Sequence, residues 1–427
     1  MWTKTHGYKV PAFHQETYLY EWYYDLYQSG QFTFQLKNLH RKYGPVIRIN
    51  PDETNGRAEK PLRVAEAFGP YPAKSVNDLV PVMWRPIDIL RKRLQQAAQT
   101  GDMLNMKYIY AAVTLDIINA YCFAHEPQNV GRSDFGRKGF DDVDSFLGVS
   151  LLNIHIPWAM RFTYSLPDRV NRILAPAMAD ILDFRRDLPR QVEAIRHDED
   201  TAYKKAGHRT VFHELLDSKL PPAELQRNRR RDEAFSLVTA GSGTTAYVLR
   251  GTAYHIAANP SVRQRLHDEL VATIPDPQQF PTLTTLEQLP YLTAVIQEGL
   301  RLCDSVTHRI SRQFPDQPLQ CRGIFIPANT TVGMTAMLTH LNETIFPEPR
   351  VFRPERWLGP DIGGTRSCLG MNLARAELVL ILAAVFRQFY FDVSAVQRER
   401  DIDVSRDYIL GAQARDTPGI LVMVKEC

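Results

Sequence analysis

Several features that would assign a chain at once to a large class of proteins are missing here. The 427 residues contain no run of the ~18 consecutive apolar residues that a membrane-spanning helix needs. The first 30 residues are rich in aromatic side chains, but charged residues interrupt them, so they lack the apolar segment of a signal peptide. The sequence therefore predicts neither a spanning helix nor a cleaved secretion signal.

Cysteine is scarce and net charge is small. The five cysteines are odd in number and widely separated, and none belongs to a Cys-x-x-Cys pair. This pattern argues against a disulfide framework or a zinc site and favours a reducing compartment. A net charge of +3 is too small to indicate a nucleic-acid partner. With 44% hydrophobic residues, the chain can instead bury a large core.

One cysteine stands in an unusual setting near the C-terminus. Cys368 lies between Gly364 and Gly370, and Arg366 precedes it by two positions. A strongly apolar stretch, Leu378 to Phe386, follows shortly afterwards and predicts a buried helix. The start of such a helix favours a thiolate, the glycines allow close approach to a flat partner, and the arginine can pair with an anionic group. These residues together describe a haem socket with cysteine as the axial iron ligand.

This segment resembles the haem-binding signature of the cytochrome P450 family, Phe-x-x-Gly-x-Arg-x-Cys-x-Gly. Gly364, Arg366, Cys368 and Gly370 fall on the signature, while Asp361 replaces its opening phenylalanine. The resemblance implies that Cys368 ligates the iron of haem b (iron protoporphyrin IX) and that the other three contact the cofactor. For an isolated cysteine, the alternative is a small buried hydrophobic residue.

A second resemblance lies in a proline-free stretch of about 229–259, which predicts a long helix. Its segment Ala240-Gly241-Ser242-Gly243-Thr244-Thr245 is similar to the family's Ala-Gly-x-(Asp/Glu)-Thr motif in helix I, over the oxygen-binding face of the haem. The resemblance makes Thr244 the catalytic hydroxyl that assists proton delivery and puts Ala240 at the substrate pocket. Gly243 replaces the usual acid. The alternative is a kinked helix in which threonine bonds to the preceding turn.

Two further motifs carry the resemblance. Glu298 and Arg301 share one helix face, and on an ordinary helix they would form a weak exposed pair. In the family, Glu-x-x-Arg joins the arginine of a Pro-Glu-Arg-Trp motif in a buried structural charge cluster, which implies the cluster Glu298, Arg301 and Arg356. A planar guanidinium suits this sharing of one carboxylate better than lysine does.

The remaining haem and pocket residues are also implied by the resemblance. The segment from Ser305 is similar to the strand that lines the substrate pocket, which assigns Val306 to the pocket. Arg312 is the expected contact to a haem propionate, and Arg309 is the second choice. Arg63 matches the helix C arginine that reaches a propionate, with a surface salt bridge as the alternative.

The expected architecture is mainly α with a small β domain, the cytochrome P450 fold, in one domain covering residues 1–427. Helix I is expected at about 229–259 and the haem-binding loop at about 361–370. Val46 to Ile49 predicts a strand, and Leu115 to Phe123 resembles helix E. Compared with the family's filamentous-fungal microsomal members, the chain looks shortened at the N-terminus, in the B–C region around 51–62, and before the haem-ligand loop.

The function implied by the resemblance is a haem-dependent monooxygenase of fungal secondary metabolism that inserts one oxygen atom from O2 into a lipophilic small molecule. Electrons would come from NADPH through NADPH–cytochrome P450 reductase. The resemblance implies the cytoplasmic side of the endoplasmic reticulum, with peripheral membrane contact; without an anchor, the cytoplasm is the other expected location. Two alternatives stay open: a haem-thiolate isomerase or dehydratase that needs no reductase, and a truncated, non-catalytic relative.

Overall fold

A computed structural model gives the fold of most of the chain. It describes residues 17–43, 73–125, 128–148, 150–174, 210–216, 225–303, 305–321, 324–359 and 370–427, and the single residues 47, 49 and 221. Four of the predicted haem-contact residues, Arg63, Gly364, Arg366 and Cys368, lie outside the described residues, and so does the 51–62 region.

The described part of the chain is mainly helical. Its α-helices, in chain order, are α1 (Thr17–Trp22), α2 (Phe32–Tyr43), α3 (Ala73–Thr100), α4 (Met106–Phe123), α5 (Arg137–Gly148), α6 (Ser150–His155), α7 (Pro157–Ser165), α8 (Asp168–Leu174), α9 (Val211–Leu216), α10 (Arg227–Ala258), α11 (Pro260–Thr273), α12 (Leu283–Glu287), α13 (Pro290–Leu302), α14 (Ala336–His340), α15 (Met371–Phe386) and α16 (Arg398–Asp401). A π-helical turn, Tyr23–Tyr27, continues α1, and a 3₁₀ turn covers Pro354–Trp357.

The strands are short and pair antiparallel. They are β1 (Met103–Asn105), β2 (Ile310–Gln313), β3 (Leu319–Cys321), β4 (Ile324–Ile326), β5 (Thr331–Met334), β6 (Phe389–Asp392), β7 (Arg406–Tyr408), β8 (Leu410–Ala412) and β9 (Leu421–Glu426). β9 lies between β1 and β6, and the pairs β2–β5, β3–β4 and β7–β8 form three two-stranded sheets. Ile47 and Ile49, the described members of the predicted Val46–Ile49 strand, lie in no regular element.

The helix boundaries follow local sequence signals. The side chain of Asn105 caps α4 by accepting a hydrogen bond from the backbone N–H of Lys107. α10, the predicted helix I, ends at Ala258, because Asn259 is extended and Pro260 begins α11. The Asn259 side chain then accepts a hydrogen bond from Val262 N. The C-terminal boundary of the long central helix is thus determined by Asn259 and Pro260.

The core forms where α10 packs against α4, α13 and α15. α15 is buried along most of its length, from Ala376 to Phe386. α10 and α13 come very close: a Cβ on Gly251 would lie 2.4 Å from the Cys303 sulfur, and one on Gly299 would lie 2.1 Å from Thr252 Oγ1. Within the described residues, no helix combines the length and apolar character needed to cross a bilayer.

Candidate functional site

The middle of α10 borders open space on one face. Ala240 and Gly243 are exposed and Thr244 is half-buried, at the i, i+3, i+4 spacing that puts residues on one side of a helix. A Cβ on Gly243 would have no atom of another part of the molecule within 4 Å. This face therefore offers small residues beside a space that a flat ligand can approach.

Gly241 and Ser242, which lie between Ala240 and Gly243 in the sequence, hold α10 against α4. A Cβ on Gly241 would lie 2.8 Å from Ile118 Cδ1, so the two helices approach closely at this point. The buried Thr114 hydroxyl of α4 lies 3.1 Å from the Ser242 carbonyl oxygen. These contacts fix the helix on one side and leave the Ala240–Thr244 side open.

The Thr244 hydroxyl has a local partner. Its Oγ1 donates to the Ala240 carbonyl oxygen at 2.8 Å, which is the bond to the preceding turn described above as the alternative. The oxygen keeps lone pairs that can accept a hydrogen bond from water. The geometry is compatible with both interpretations, and the catalytic role of Thr244 stays a prediction.

The start of α15 has the electrostatic character that an anionic sulfur requires. Gly370 is the N-cap residue of this helix and, as a glycine, has no side chain that could cap the first backbone N–H groups. The first backbone N–H groups of a helix lack intrahelical partners and carry partial positive charge. Because Cys368 lies two residues before Gly370, these donors begin immediately after the predicted ligand.

Two other cysteines are in surroundings that disfavour a thiolate. Cys122 and Cys303 are fully or almost fully buried in the core. Burial raises the pKa of each thiol to about 12. Both side chains therefore stay protonated near neutral pH and behave as small hydrophobic residues.

The structure brings the three residues of the predicted charge cluster together. Arg301 and Glu298 form a bidentate pair, with Nε–Oε2 and Nη2–Oε1 distances of 2.8 and 2.7 Å, and both side chains are fully buried. Arg356 Nε lies 3.4 Å from Glu298 Oε1. The remaining guanidinium nitrogen of Arg301, Nη1, donates to the carbonyl oxygens of His340 and Pro349. The guanidinium thus ties α13 to two later segments.

Two further donors complete the environment of Glu298. The Trp357 indole N–H donates to Oε2 at 2.8 Å, and the Arg353 backbone N–H donates to Oε1 at 2.9 Å. Burial opposes ionisation of Glu298, but the hydrogen bonds from Arg301, Arg353 and Trp357 outweigh it and hold the pKa of this carboxyl below its usual range. Sequence reasoning missed Trp357 as a member, although it directly follows Arg356.

The two propionate candidates differ in their surroundings. Arg312, on β2, is exposed, and its Nη1 donates to the carbonyl oxygen of the adjacent Ser311. Arg309 is largely buried and donates from Nη2 to Glu21 Oε1 at 2.5 Å. Arg312 is therefore the more accessible of the two, while Arg309 is engaged by an acid.

The predicted pocket residue Val306 has a partner that sequence reasoning missed. It forms an isolated antiparallel bridge with Leu410, the first residue of β8. The Gly411 N–H donates to the Ser305 carbonyl oxygen at 3.0 Å, which extends the pairing. The sequence carries no motif at Leu410, so only the tertiary contact reveals it.

Comparison with known proteins identifies the fold and the family. A family model described as Cytochrome P450 matches residues 61–415. The chain belongs to the cytochrome P450 family.

Individual P450 relatives cover nearly the whole chain. It is 34% identical to the cytochrome P450 monooxygenase tpcC of Cochliobolus heterostrophus and 32% identical to the tryptophan 6-hydroxylase fscE of Fusarium equiseti, over 96% of this chain and 90% of each relative. The alignment with the first spans 472 positions, more than the 427 residues here, so that relative contains internal residues with no counterpart in this chain. The chain is accordingly a cytochrome P450 monooxygenase, shortened relative to these homologues.

The predicted fold is confirmed by a solved structure. A crystal structure of a cytochrome P450 (CYP102L1) superimposes with a TM-score of 0.65, at 19% identity, over 89% of this chain and 80% of that one. The predicted mainly α fold with small sheets is therefore right.

Family membership implies a haem-iron cofactor, and the described residues fit one. The open face at Ala240, Gly243 and Thr244 suits a flat group, and the N-terminus of α15, a helix that packs against α10, suits its anionic ligand. When bound, haem supplies the activation of O2 that amino-acid side chains lack.

Proposed function

We propose that this P450 inserts one oxygen atom from O2 into a lipophilic small molecule of secondary metabolism, using electrons that NADPH–cytochrome P450 reductase relays from NADPH. Haem b would be held by Cys368, with Arg366 and Arg312 facing its propionates. The observation that carries the proposal is the open, small-residue face of α10 in a chain that matches the P450 family over most of its length.

The chain's own residues would bind, orient and move protons. The Thr244 hydroxyl, whose own proton is donated to the Ala240 carbonyl oxygen, would accept a hydrogen bond from a water on the open face of α10, and that water would pass a proton toward the reacting oxygen. Ala240 and Val306 would contact the substrate, and their small or branched apolar side chains suit a lipophilic molecule. Arg312 is preferred over Arg309 as a propionate contact because its side chain is exposed and, within the described part of the chain, pairs with no acid.

An aromatic, indole-containing molecule is the first substrate class to test. A relative 32% identical to this chain is named as a tryptophan 6-hydroxylase. That name supports a test panel led by tryptophan and simpler indoles, with terpenoid and polyketide scaffolds as the contrasting classes.

Isotope labelling tests the proposed reaction. Purified haem-loaded enzyme, reductase and NADPH are incubated with the panel under ¹⁸O2, and products are analysed by mass spectrometry. The proposal predicts a product with one ¹⁸O atom that requires both reductase and NADPH. Absence of oxygenated product across the panel, in a preparation with full haem content, would contradict it.

Gly243 favours one second candidate, because the acid that the P450 motif usually supplies is missing. A haem-thiolate isomerase or dehydratase needs no electrons and no proton delivery to reduced oxygen. Conversion of a substrate without NADPH and without ¹⁸O incorporation would establish that candidate instead.

The reductase partner also leads us to propose attachment at the cytoplasmic side of the endoplasmic reticulum, which fractionation of a tagged protein would test.

A further inference from the structure

A second cavity lies beside the C-terminal half of α10. It has a volume of about 760 Å³, within the range of ~300–1,000 Å³ that small-molecule sites occupy. α10 lines it from Tyr247 to His255, and the open face at Ala240, Gly243 and Thr244 does not line it. Its other walls come from α2, the C-terminal end of α13, α14 and the segment that starts at α16. The cavity is therefore a candidate site separate from that open face.

Arg250 gives the cavity a cation whose described partners are all neutral. Its Nη2 donates to Gln413 Oε1 at 2.9 Å, and its guanidinium carbon lies 4.5 Å from the centre of the Tyr247 ring. The amide of Gln413 donates in turn to the Tyr247 hydroxyl at 2.9 Å. Among the residues that the structure describes, Arg250 pairs with no acid. A guanidinium that is held in place without a counter-ion is suited to bind a carboxylate through two parallel hydrogen bonds.

The wall at α16 also has more cations than acids. Arg350 and Arg398 share Asp403: Arg398 Nε lies 3.2 Å from its Oδ1, and Arg350 Nη1 lies 3.7 Å from its Oδ2. Asp401, the other acid of this wall, is already paired with Arg400 at 2.7 Å. Three arginines thus accompany two aspartates, which leaves one positive charge uncompensated among these residues.

The exposed charged residues of the lining add to this excess. Lys37 and Arg41 of α2 are exposed cations, and Glu343 is an exposed acid. Burial, together with nearby arginine charges, lowers the pKa of the lining residue His255 to about 3, so this imidazole is neutral at physiological pH. The arginine charges that disfavour a protonated imidazole would favour an anion in the same cavity. The charge of the described lining is therefore positive.

Apolar side chains form much of the remaining lining. Phe34 of α2 and Leu302 of α13 are partly covered, and Met337 of α14 is buried. Met334, at the end of β5, is 71% exposed. Methionine is unbranched and flexible, so it adapts its side chain to a ligand more readily than other apolar residues do. Apolar surface next to cations suits an amphipathic anion, and flexible aliphatic walls suit an alkyl chain.

We propose that this cavity binds an organic anion of the fatty-acid class, whose carboxylate pairs with the Arg250 guanidinium and whose alkyl chain packs against Phe34 and Met334. The inference goes beyond the proposed function, because it assigns a second ligand that is bound and not oxygenated. The cavity is lined by α2, α10, α13 and α14 together, so an occupant would stabilise their packing by mass action.

Calorimetric titration of the haem-loaded protein with decanoate tests the proposal. An azole that ligates the iron fills the reaction site beforehand, so that decanoate must bind elsewhere. We expect decanoate to bind to the wild type, and decanol, which lacks the charge, to bind about tenfold more weakly. Arg250→Gln should weaken decanoate binding by about the same factor. Arg265→Gln is the matched control and should bind like the wild type, because Arg265 pairs with Glu355 on the surface outside the cavity.

A second pair of variants keeps the test decisive if Arg250→Gln does not fold. Met334→Glu adds a negative charge at an exposed position of the lining, whereas Met423→Glu adds one at an exposed position of β9 outside the lining. Decanoate binding should weaken severalfold in Met334→Glu and keep the wild-type affinity in Met423→Glu.

Three results would overturn the proposal: no decanoate binding to the wild type, equal affinity for decanoate and decanol, or wild-type affinity in Arg250→Gln or Met334→Glu. Calorimetry requires neither electrons nor turnover, so these results do not depend on the proposed oxygenation. If no substrate is oxygenated, the proposed function fails, whereas the titrations still decide whether the second cavity binds an anion.

Discussion

At the residue scale, the hydrogen-bond partners of a few side chains determine which of them stay charged and which stay available to water. Glu298 shows this best, because a buried carboxylate is stable as an anion only when donors surround it. Here Arg301, Trp357 and a backbone N–H provide them. Thr244 is the opposite case, since among the described residues its hydroxyl bonds only to its own helix and can still accept a hydrogen bond from water.

Thr244 should control how efficiently electrons reach product. Because Gly243 provides no acid, the hydroxyl is the expected protein group that orders water on this face, and such general acid–base assistance is worth ~10²–10⁴-fold in rate. We expect Thr244→Ala to keep NADPH consumption but to divert most of it to hydrogen peroxide. Thr244→Ser, which keeps the hydroxyl, should stay coupled, and Gly243→Asp should improve coupling. Wild-type coupling in Thr244→Ala would move the proton path elsewhere.

Arg301 should be required for folding rather than for turnover. Removing it leaves Glu298 buried with its main cation gone, which costs ~3–5 kcal/mol. We expect Arg301→Ala to give little soluble haem protein. Arg265→Ala is the control, because Arg265 pairs with Glu355 on the surface, where a pair contributes only ~0–1 kcal/mol. Normal haem content with a reduced rate in Arg301→Ala would argue against a structural role.

The residues that could be predicted from the sequence lie close together in it or in a recognisable motif, whereas those that could not are joined only by long-range contacts. Glu298 and Arg301 share one helix turn, and Arg356 stands in a recognisable motif, so short-range spacing was enough to group them. Asp407 carries no motif, and the Thr33 hydroxyl that donates to its carboxylate is 374 positions away in the chain. Only the folded structure brings such groups together.

At the element scale, long-range packing decides what local pattern leaves open. The proline-free stretch and Pro260 predicted α10 to within two residues at each end. Periodicity did not predict how closely α10 approaches α13, because glycine contributes no apolar signal. The short strands were also harder to predict: Ile47 and Ile49 have the composition of a strand but lie in no sheet.

Two glycines of α10 should respond to alanine in opposite ways. Gly243 faces open space, so Gly243→Ala should stabilise the protein by ~1 kcal/mol through helix propensity. Gly251→Ala brings Cβ to 2.4 Å from Cys303 Sγ, and such overpacking costs ~1–3 kcal/mol. Denaturant unfolding measures both, and Cys303→Ala should restore much of the loss in the double variant. Equal effects of the two substitutions would contradict the close α10–α13 contact.

At the scale of the whole molecule, buried titratable groups set the response of stability to pH. His255 of α10 is buried and stacks on Phe352 with ring centroids 5.0 Å apart. Burial, with the nearby charges of Arg398 and Arg301, lowers its pKa to about 3. Between that value and an unfolded pKa of about 6.5, the unfolded chain binds a proton that the folded chain does not.

Stability should therefore fall as pH decreases from about 6.5 towards 4, by up to ~1.4 kcal/mol per pH unit for this one group. His255→Phe keeps the aromatic stacking and removes the titration. We expect the variant to lose part of the slope of unfolding free energy against pH in that window, as urea unfolding at several pH values would measure. Parallel curves for wild type and variant would show that His255 is not the group responsible.

The carboxylates make a separate contribution at lower pH. Hydrogen bonds lower the pKa of Glu298 and Asp407 despite burial, so their stabilisation is present above the unfolded carboxyl pKa and is lost as pH falls through the folded value. This loss belongs to a more acidic range than that of His255. The two effects can therefore be separated in one titration.

The central claim is that this shortened P450 binds haem through the Cys368 thiolate, and one spectrum tests it most directly. Protein expressed with a haem precursor is reduced and exposed to carbon monoxide, and the difference spectrum is recorded for wild type, Cys368→Ser and Cys303→Ser. Because burial keeps Cys303 protonated, the Cys303→Ser variant serves as the matched control. The account predicts the red-shifted Soret band of thiolate ligation in wild type and in Cys303→Ser, and its loss in Cys368→Ser. An unchanged band in Cys368→Ser, or no such band in haem-loaded wild type, would contradict it.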